Sequence, residues 1–324
     1  MGLRLSPPGF RRVAGVAVLA IALTIVSGAA VRLTGSGLGC ADWPRCTATR
    51  VVAPLQFHAW MEFGNRLVAT LLTLVIVGAV AGSLLRRPRR ADLVALSAGL
   101  IVGVAAQIVL GGETVLHHLA PQFVMSHFLL SGVLLADAVV LWHRAGLADR
   151  PAPAGRPGWS RPARTSWVVP PSTVVLARLV VVAASAVVVL GTVVTSTGPH
   201  GGDPAARRFA FSLHDVAQIH GGSVEVFGAL TLLALWSAHR AGAPAVVMRR
   251  GEVLLGVLVA QAAVGYAQYF SGDPALTVGI HVAGAASVMV AVGWFYLSLR
   301  SRAPDPAGDA SPATTAHRPE LVRG

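Results

Sequence analysis

An all-α integral membrane protein, with eight transmembrane helices as two pseudo-symmetric four-helix bundles, is the fold class this sequence predicts. Three observations carry that prediction. Of 324 residues, 54% are hydrophobic and only 12% are charged, against about 25% charged in an ordinary soluble domain, and the mean hydropathy is +0.65. Apolar stretches of about 20 residues, enough to cross a bilayer as a helix, recur eight times. The basic residues then fall mostly on one side of those stretches. This composition excludes a soluble catalytic domain. The long unbroken apolar runs exclude a transmembrane barrel, whose strands alternate in polarity.

Taken in order, the spans are expected at about 13–33, 62–85, 93–112, 122–142, 174–196, 214–238, 252–270 and 276–299. The first reads as a retained helix, because it is longer than the apolar core of a signal peptide and no good cleavage site follows it. The chain contains no lysine, so all 26 basic residues are arginine, and the net charge is +12. Arginines cluster before the first span, between spans two and three, between four and five, between six and seven, and after the eighth. Only Arg32, Arg45, Arg50, Arg66, Arg207 and Arg208 lie on the other side. Arginine in short connections marks the cytoplasmic face. Both termini are therefore expected in the cytoplasm, for a plasma-membrane protein. Its partner is the lipid bilayer, and the charge calls for no nucleic acid.

The chain divides accordingly. Residues 1–12 are a cytoplasmic N-terminus, 13–143 a first four-helix half and 174–299 a second. Residues 144–173, rich in Pro, Arg and Gly, form a cytoplasmic linker, and the Pro/Ala/Asp/Thr-rich stretch 300–324 is expected to be a disordered cytoplasmic tail. The halves repeat each other. Gly28 opens a run resembling the one opened by Gly191. Gln107 precedes His127 by 20 residues, as Gln261 precedes His281, and the pairs Asn65/His127 and His220/His281 are separated by 62 and 61 residues. Each half has an even number of spans, so the repeat is parallel, about an axis along the membrane normal.

Both cysteines, Cys40 and Cys46, lie in the first outer loop. The oxidising compartment there favours a disulfide; two free, redox-active thiols are the alternative. His220 and His281 lie a turn or two into apolar helices near the outer side, among Gly221, Gly222, Ser223, Ala283, Gly284 and Ala285. Ionisable groups at such depth are costly and mark function. Two imidazoles from facing helices, with small residues beside them, suit axial ligation of haem iron; close helix packing around hydrogen-bonded histidines is the alternative. The first half keeps His127 but has Asn65, a poor iron ligand, at the position of His220. A haem there would have one protein ligand or borrow another, for which His58 is a candidate unless it sits exposed at the helix mouth. Glu62 shares a helix face with His58 and Asn65. It can act as a general base or pair with an arginine.

Three motifs carry a resemblance: Val31-Arg32-Leu33-Thr34-Gly35-Ser36-Gly37-Leu38 with Asp42-Trp43-Pro44, then Glu62-Phe63-Gly64-Asn65-Arg66, then Gly111-Gly112-Glu113-Thr114-Val115. With the eight spans and paired histidines, the chain resembles the haem A synthase family over about 13–299. The likeness is to an actinobacterial-like form with Asn in the Glu-x-x-His/Asn-Arg motif. The resemblance implies an oxidoreductase that converts the methyl at ring position eight of haem O to the formyl group of haem A, with water as oxygen donor. It implies haem b held by His220 and His281, a substrate site around His127 with Asn65, His58 and Arg66 at its edge, catalysis by Glu62, and a Cys40–Cys46 disulfide. Implied partners are haem O, the haem O synthase (protohaem farnesyltransferase) and an electron acceptor, since no flavin, nicotinamide or iron–sulfur motif is present. The alternative function is a membrane b-type cytochrome for electron transfer.

Overall fold

A computed structural model describes residues 4–151 and 158–302. It contains eight helices: α1 (Pro7–Leu33), α2 (Phe57–Leu85), α3 (Ala91–Leu116), α4 (Pro121–Ala145), α5 (Pro171–Thr197), α6 (Leu213–Arg240), α7 (Ala245–Phe270) and α8 (Ala275–Ser298). All eight are long and apolar enough to span a membrane. The protein is thus an all-α, multi-pass integral membrane protein. Their starts are marked by side-chain caps and proline. Ser6 accepts the Gly9 N–H at 3.2 Å, ahead of Pro7 and Pro8, and Pro121 and Pro171 open α4 and α5. Proline suits these positions because the first turn has no acceptor for its missing N–H.

Several helices outrun their expected spans. α2 begins at Phe57 rather than 62, and α7 at Ala245 rather than 252. Arg249 and Arg250 therefore belong to the first turns of α7, not to the preceding connection. The Arg250 guanidinium lies 4.8 Å from the Trp294 ring centroid. The apolar stretch ends at the headgroup level, whereas backbone hydrogen bonding carries the helix on through the interface.

Each half is built from two closely packed antiparallel hairpins, α1–α2 with α3–α4 and α5–α6 with α7–α8. One core centres on Phe10, Ile21, Ile76, Leu100 and Leu135, the other on Phe227, Leu254 and Phe295. Large apolar side chains such as Leu71, Val102, Val133 and Val182 point outward, as a bilayer requires. The halves meet where α1 and α4 pack on α8, with the Met289 thioether against Gly132 and Val139 against Gly293. At the end of the bundle that carries the loop after α1, Gly37 N–H donates to the Gly202 carbonyl at 2.7 Å, and the Arg32 guanidinium donates to the Thr195 carbonyl.

The linker is more ordered than its composition suggests. β1 (Arg89–Arg90), β2 (Asp149–Pro151) and β3 (Trp159–Pro162) form a small sheet in the order β1-β3-β2. β4 (Thr165–Trp167) pairs antiparallel with β5 (Arg300–Arg302). The first residues of the expected tail, 300–302, are thus a paired strand; from 303 onward the tail lies outside the described residues. The arginines of the α2–α3 connection hold the linker in place. Arg86 and Arg90 have fully buried side chains; Arg86 makes two hydrogen bonds to Asp149, at 3.0 and 2.9 Å, and an Arg90 nitrogen lies 3.8 Å from Asp149. Removing one partner of a buried pair strands the other charge and costs about 3–5 kcal/mol. Asp149→Ala is expected to destabilise the protein to about that extent, read as a lowered midpoint of thermal unfolding in detergent; an unchanged midpoint would show that the arginines find other partners.

Candidate functional site

The three sequence-predicted histidines share one local construction. His127, His220 and His281 each rest on a glycine of the neighbouring helix. A Cβ at Gly111 would lie 3.2 Å from Cε1 of His127. At Gly191 and Gly265 it would lie 3.1 Å from Cε1 of His220 and of His281 respectively. Any larger residue would push the ring away. In each half a glutamine one turn before the glycine ties the histidine's own helix. Gln107 Nε2 donates to the His127 carbonyl at 3.1 Å, and Gln261 Nε2 to the His281 carbonyl at 2.8 Å. The Gln-x-x-x-Gly spacing is the sequence signal for the seats at Gly111 and Gly265; the seat at Gly191 has Val187 in place of the glutamine.

His220 and His281 face each other across the second half, with ring centroids 6.4 Å apart and an interplanar angle of 74°. That separation is too wide for direct hydrogen bonding, and metal–imidazole bonds of about 2 Å on either side fit within it. In all three histidines Nδ1 is buried and without a hydrogen-bond partner among the described residues. With Nδ1 buried, each ring can offer only its other nitrogen, Nε2, which is the one an imidazole presents to haem iron. The residues present therefore fit haem iron.

Asn65 occupies the remaining repeat-equivalent position, and Ser27 Oγ on α1 donates to its Oδ1 at 2.7 Å. His58 lies at the outer mouth of α2, in the second residue of the helix, with Nδ1 2.9 Å from Ser36 Oγ; its side chain is exposed.

Glu62 is buried in α2 and engaged at both oxygens. Oε2 accepts the Cys40 N–H at 2.7 Å, and Oε1 accepts from Arg66 at 2.6 Å. Arg66 in turn donates to the carbonyls of Pro44, Arg45, Cys40 and Asp42, at 3.4, 2.9, 3.3 and 3.0 Å. One guanidinium thus gathers the outer loop onto one turn of helix, and of the two alternatives for Glu62 the arginine pair is present. The loop is closed by the Cys40–Cys46 disulfide. Its Trp43 indole lies over α3, where a Cβ on Gly112 would come within 2.8 Å of the ring. The adjacent glycines 111 and 112 therefore receive the His127 imidazole and the loop tryptophan. The loop connects the Glu62 carboxylate to the helix that seats His127.

The family model of COX15-CtaA, described as cytochrome oxidase assembly protein, matches residues 11–293. The chain belongs to this family. Among individual relatives, heme A synthase of Geobacillus kaustophilus is 36% identical over 72 residues, 22% of this chain and 22% of that protein. Heme A synthase of Symbiobacterium thermophilum is 33% identical over 132 residues, 40% and 42% of the two chains. That of Alkalihalophilus pseudofirmus is 29% identical over 126 residues, 38% and 42%. These matches span less than half the length of the relatives. In this member of the COX15-CtaA family, Gly191→Ala is expected to displace His220 by a few tenths of an ångström. Overpacking of that kind costs about 1–3 kcal/mol of stability, read as a lowered midpoint of thermal unfolding in detergent; an unchanged midpoint would show that the His220 ring yields freely.

Proposed function

We propose that the chain is a haem A synthase of the plasma membrane, with both termini in the cytoplasm. The methyl group at ring position eight of haem O becomes a formyl group through the alcohol and the hydrated aldehyde. In sum, R–CH3 and H2O give R–CHO, four protons and four electrons, and the electrons pass to a carrier outside the chain. The observation that supports this most is the repeated seat: glycine beneath imidazole, with Gln at the histidine carbonyl, in both halves. Family membership supports it independently.

Haem b, held by His220 and His281, would supply one-electron transfer. His127 binds the iron of the haem O substrate and fixes the macrocycle in the first half. Glu62 takes up protons at its carboxylate, which Cys40 N–H and Arg66 hold in one orientation. Arg66 is a positioning residue, and His58 and Asn65 border the substrate. The bilayer accommodates the farnesyl tail, and haem O synthase delivers the substrate by contact.

The test is expression with a haem O synthase in a host that makes no haem A, followed by chromatography of the extracted haems. Haem A should appear only when this chain is present. Bound haem with no haem A would favour a b-type electron-transfer cytochrome instead. Removal of a general base typically costs 10²–10⁴-fold. Glu62→Gln should therefore lower haem A by about 100-fold or more while haem b stays bound; full haem A production by that variant would rule out the proton-transfer role.

A further inference from the structure

The four repeat-equivalent seats are not alike. Three glycines, Gly111, Gly191 and Gly265, have an imidazole Cε1 at 3.1–3.2 Å from the position of a Cβ. The fourth, Gly28 of α1, occupies the place of Gly191 in the repeat and has no such neighbour: no atom lies within 4 Å of a Cβ placed on it. The residue across from it is Asn65, which is too short to cover the glycine as an imidazole does. Its carboxamide is instead held at Ser27, one residue before Gly28, by the 2.7 Å hydrogen bond. The amide nitrogen has no partner among the described residues. Nor is there a substitute imidazole here, because His58 is drawn to Ser36 at the outer mouth. The seat has kept its glycine and lost its ring.

We propose that the first half binds haem iron through His127 alone, leaving an open axial face beside Gly28, bordered by the Asn65 amide, that takes a small neutral ligand. This rests on the reading of His127 as the ligand of the substrate haem. The Asn65 amide NH2 at this face is a hydrogen-bond donor suited to an oxygen-containing ligand such as water. An imidazole pair, by contrast, saturates the iron and admits no exogenous ligand. The two halves are therefore specialised: a closed pair at His220/His281 for electron transfer, and an open position at His127 where ligand exchange occurs.

The test uses the full-length protein, purified with haem O bound, and carbon monoxide as the probe. Haem per chain is counted separately. The wild type should carry two haems, of which about one per chain gives a carbon monoxide difference spectrum and a high-spin ferric signal. Asn65→His should fill the seat, abolishing both signals with haem content unchanged. Asn65→Ala should leave the iron open to carbon monoxide but weaken the oxygen-containing ligand that the amide holds. Gly28→Ala has room in the wild type and should leave carbon monoxide binding intact, but combined with Asn65→His it should crowd the new ring and restore part of the signal. Two haems per chain with no reaction towards carbon monoxide would overturn the proposal, because a second ligand would then be present. A single haem per chain whose amount is unchanged by His127→Ala would overturn both it and the underlying reading of His127, and the haem count separates the two failures.

Discussion

On the proposed assignment of haem b to His220 and His281, replacing His281 by alanine is expected to remove that haem and to stop haem A formation altogether. The imidazole rests on Gly265, its helix is tied by Gln261, and its ring faces that of His220 with centroids 6.4 Å apart. An iron held by two imidazoles from facing helices loses its low-spin character when either ring goes. His220→Ala should therefore give the same spectrum as His281→Ala: no low-spin absorbance, and haem content lowered by about half. His127→Ala should behave differently, keeping the low-spin species while haem A formation is lost. Optical and electron paramagnetic resonance spectra of the three purified variants distinguish these outcomes. A low-spin haem surviving in both His220→Ala and His281→Ala would place the iron elsewhere.

A comparable loss is expected from Arg66→Ala, although this residue is not placed against the reacting atoms. Its guanidinium neutralises a carboxylate with 7% exposure and donates to four carbonyls of the outer loop. Without it, Glu62 is left with the Cys40 N–H as its one donor, and stranding a buried charge costs about 3–5 kcal/mol. The loop should loosen, so that the disulfide becomes accessible to a membrane-impermeant reductant and Trp43 leaves Gly112. Haem A should fall at least as far as in Glu62→Gln, while the His220/His281 absorbance stays unchanged. Arg66→Lys should recover little, because an ammonium group cannot reach a carboxylate and several carbonyls at once. A disulfide that stays protected in Arg66→Ala would show that the loop is held by other contacts.

The eight helices were legible because unbroken apolar runs of that length have one use. Their ends were not, since hydropathy reports the bilayer interior and says nothing of the helix beyond it; the seven residues added to α7 are the clearest case. The histidine pairs stood out through equal spacings in two halves. The clasp around Glu62 did not, because four of the groups that hold it through Arg66 are backbone carbonyls, and every residue has one. Strands of two to four residues in the linker carry too little alternation to read. Of these, β2 is tied by Asp149 to Arg86 and Arg90 near the end of another helix, and β4 by its backbone pairing with β5.

The clasp also has a consequence for the order of biogenesis. Glu62 lies on α2, while its backbone donor, Cys40, lies in the loop that follows α1. The carboxylate thus acquires its geometry only after α1 and α2 stand side by side with the loop between them folded back onto α2. The Cys40–Cys46 bond closes the same loop against the carboxylate that Arg66 neutralises. Assembly of this site is in this sense a property of the hairpin: a nascent chain with only α1 in place has the cysteine-bearing loop but not the carboxylate that its backbone binds.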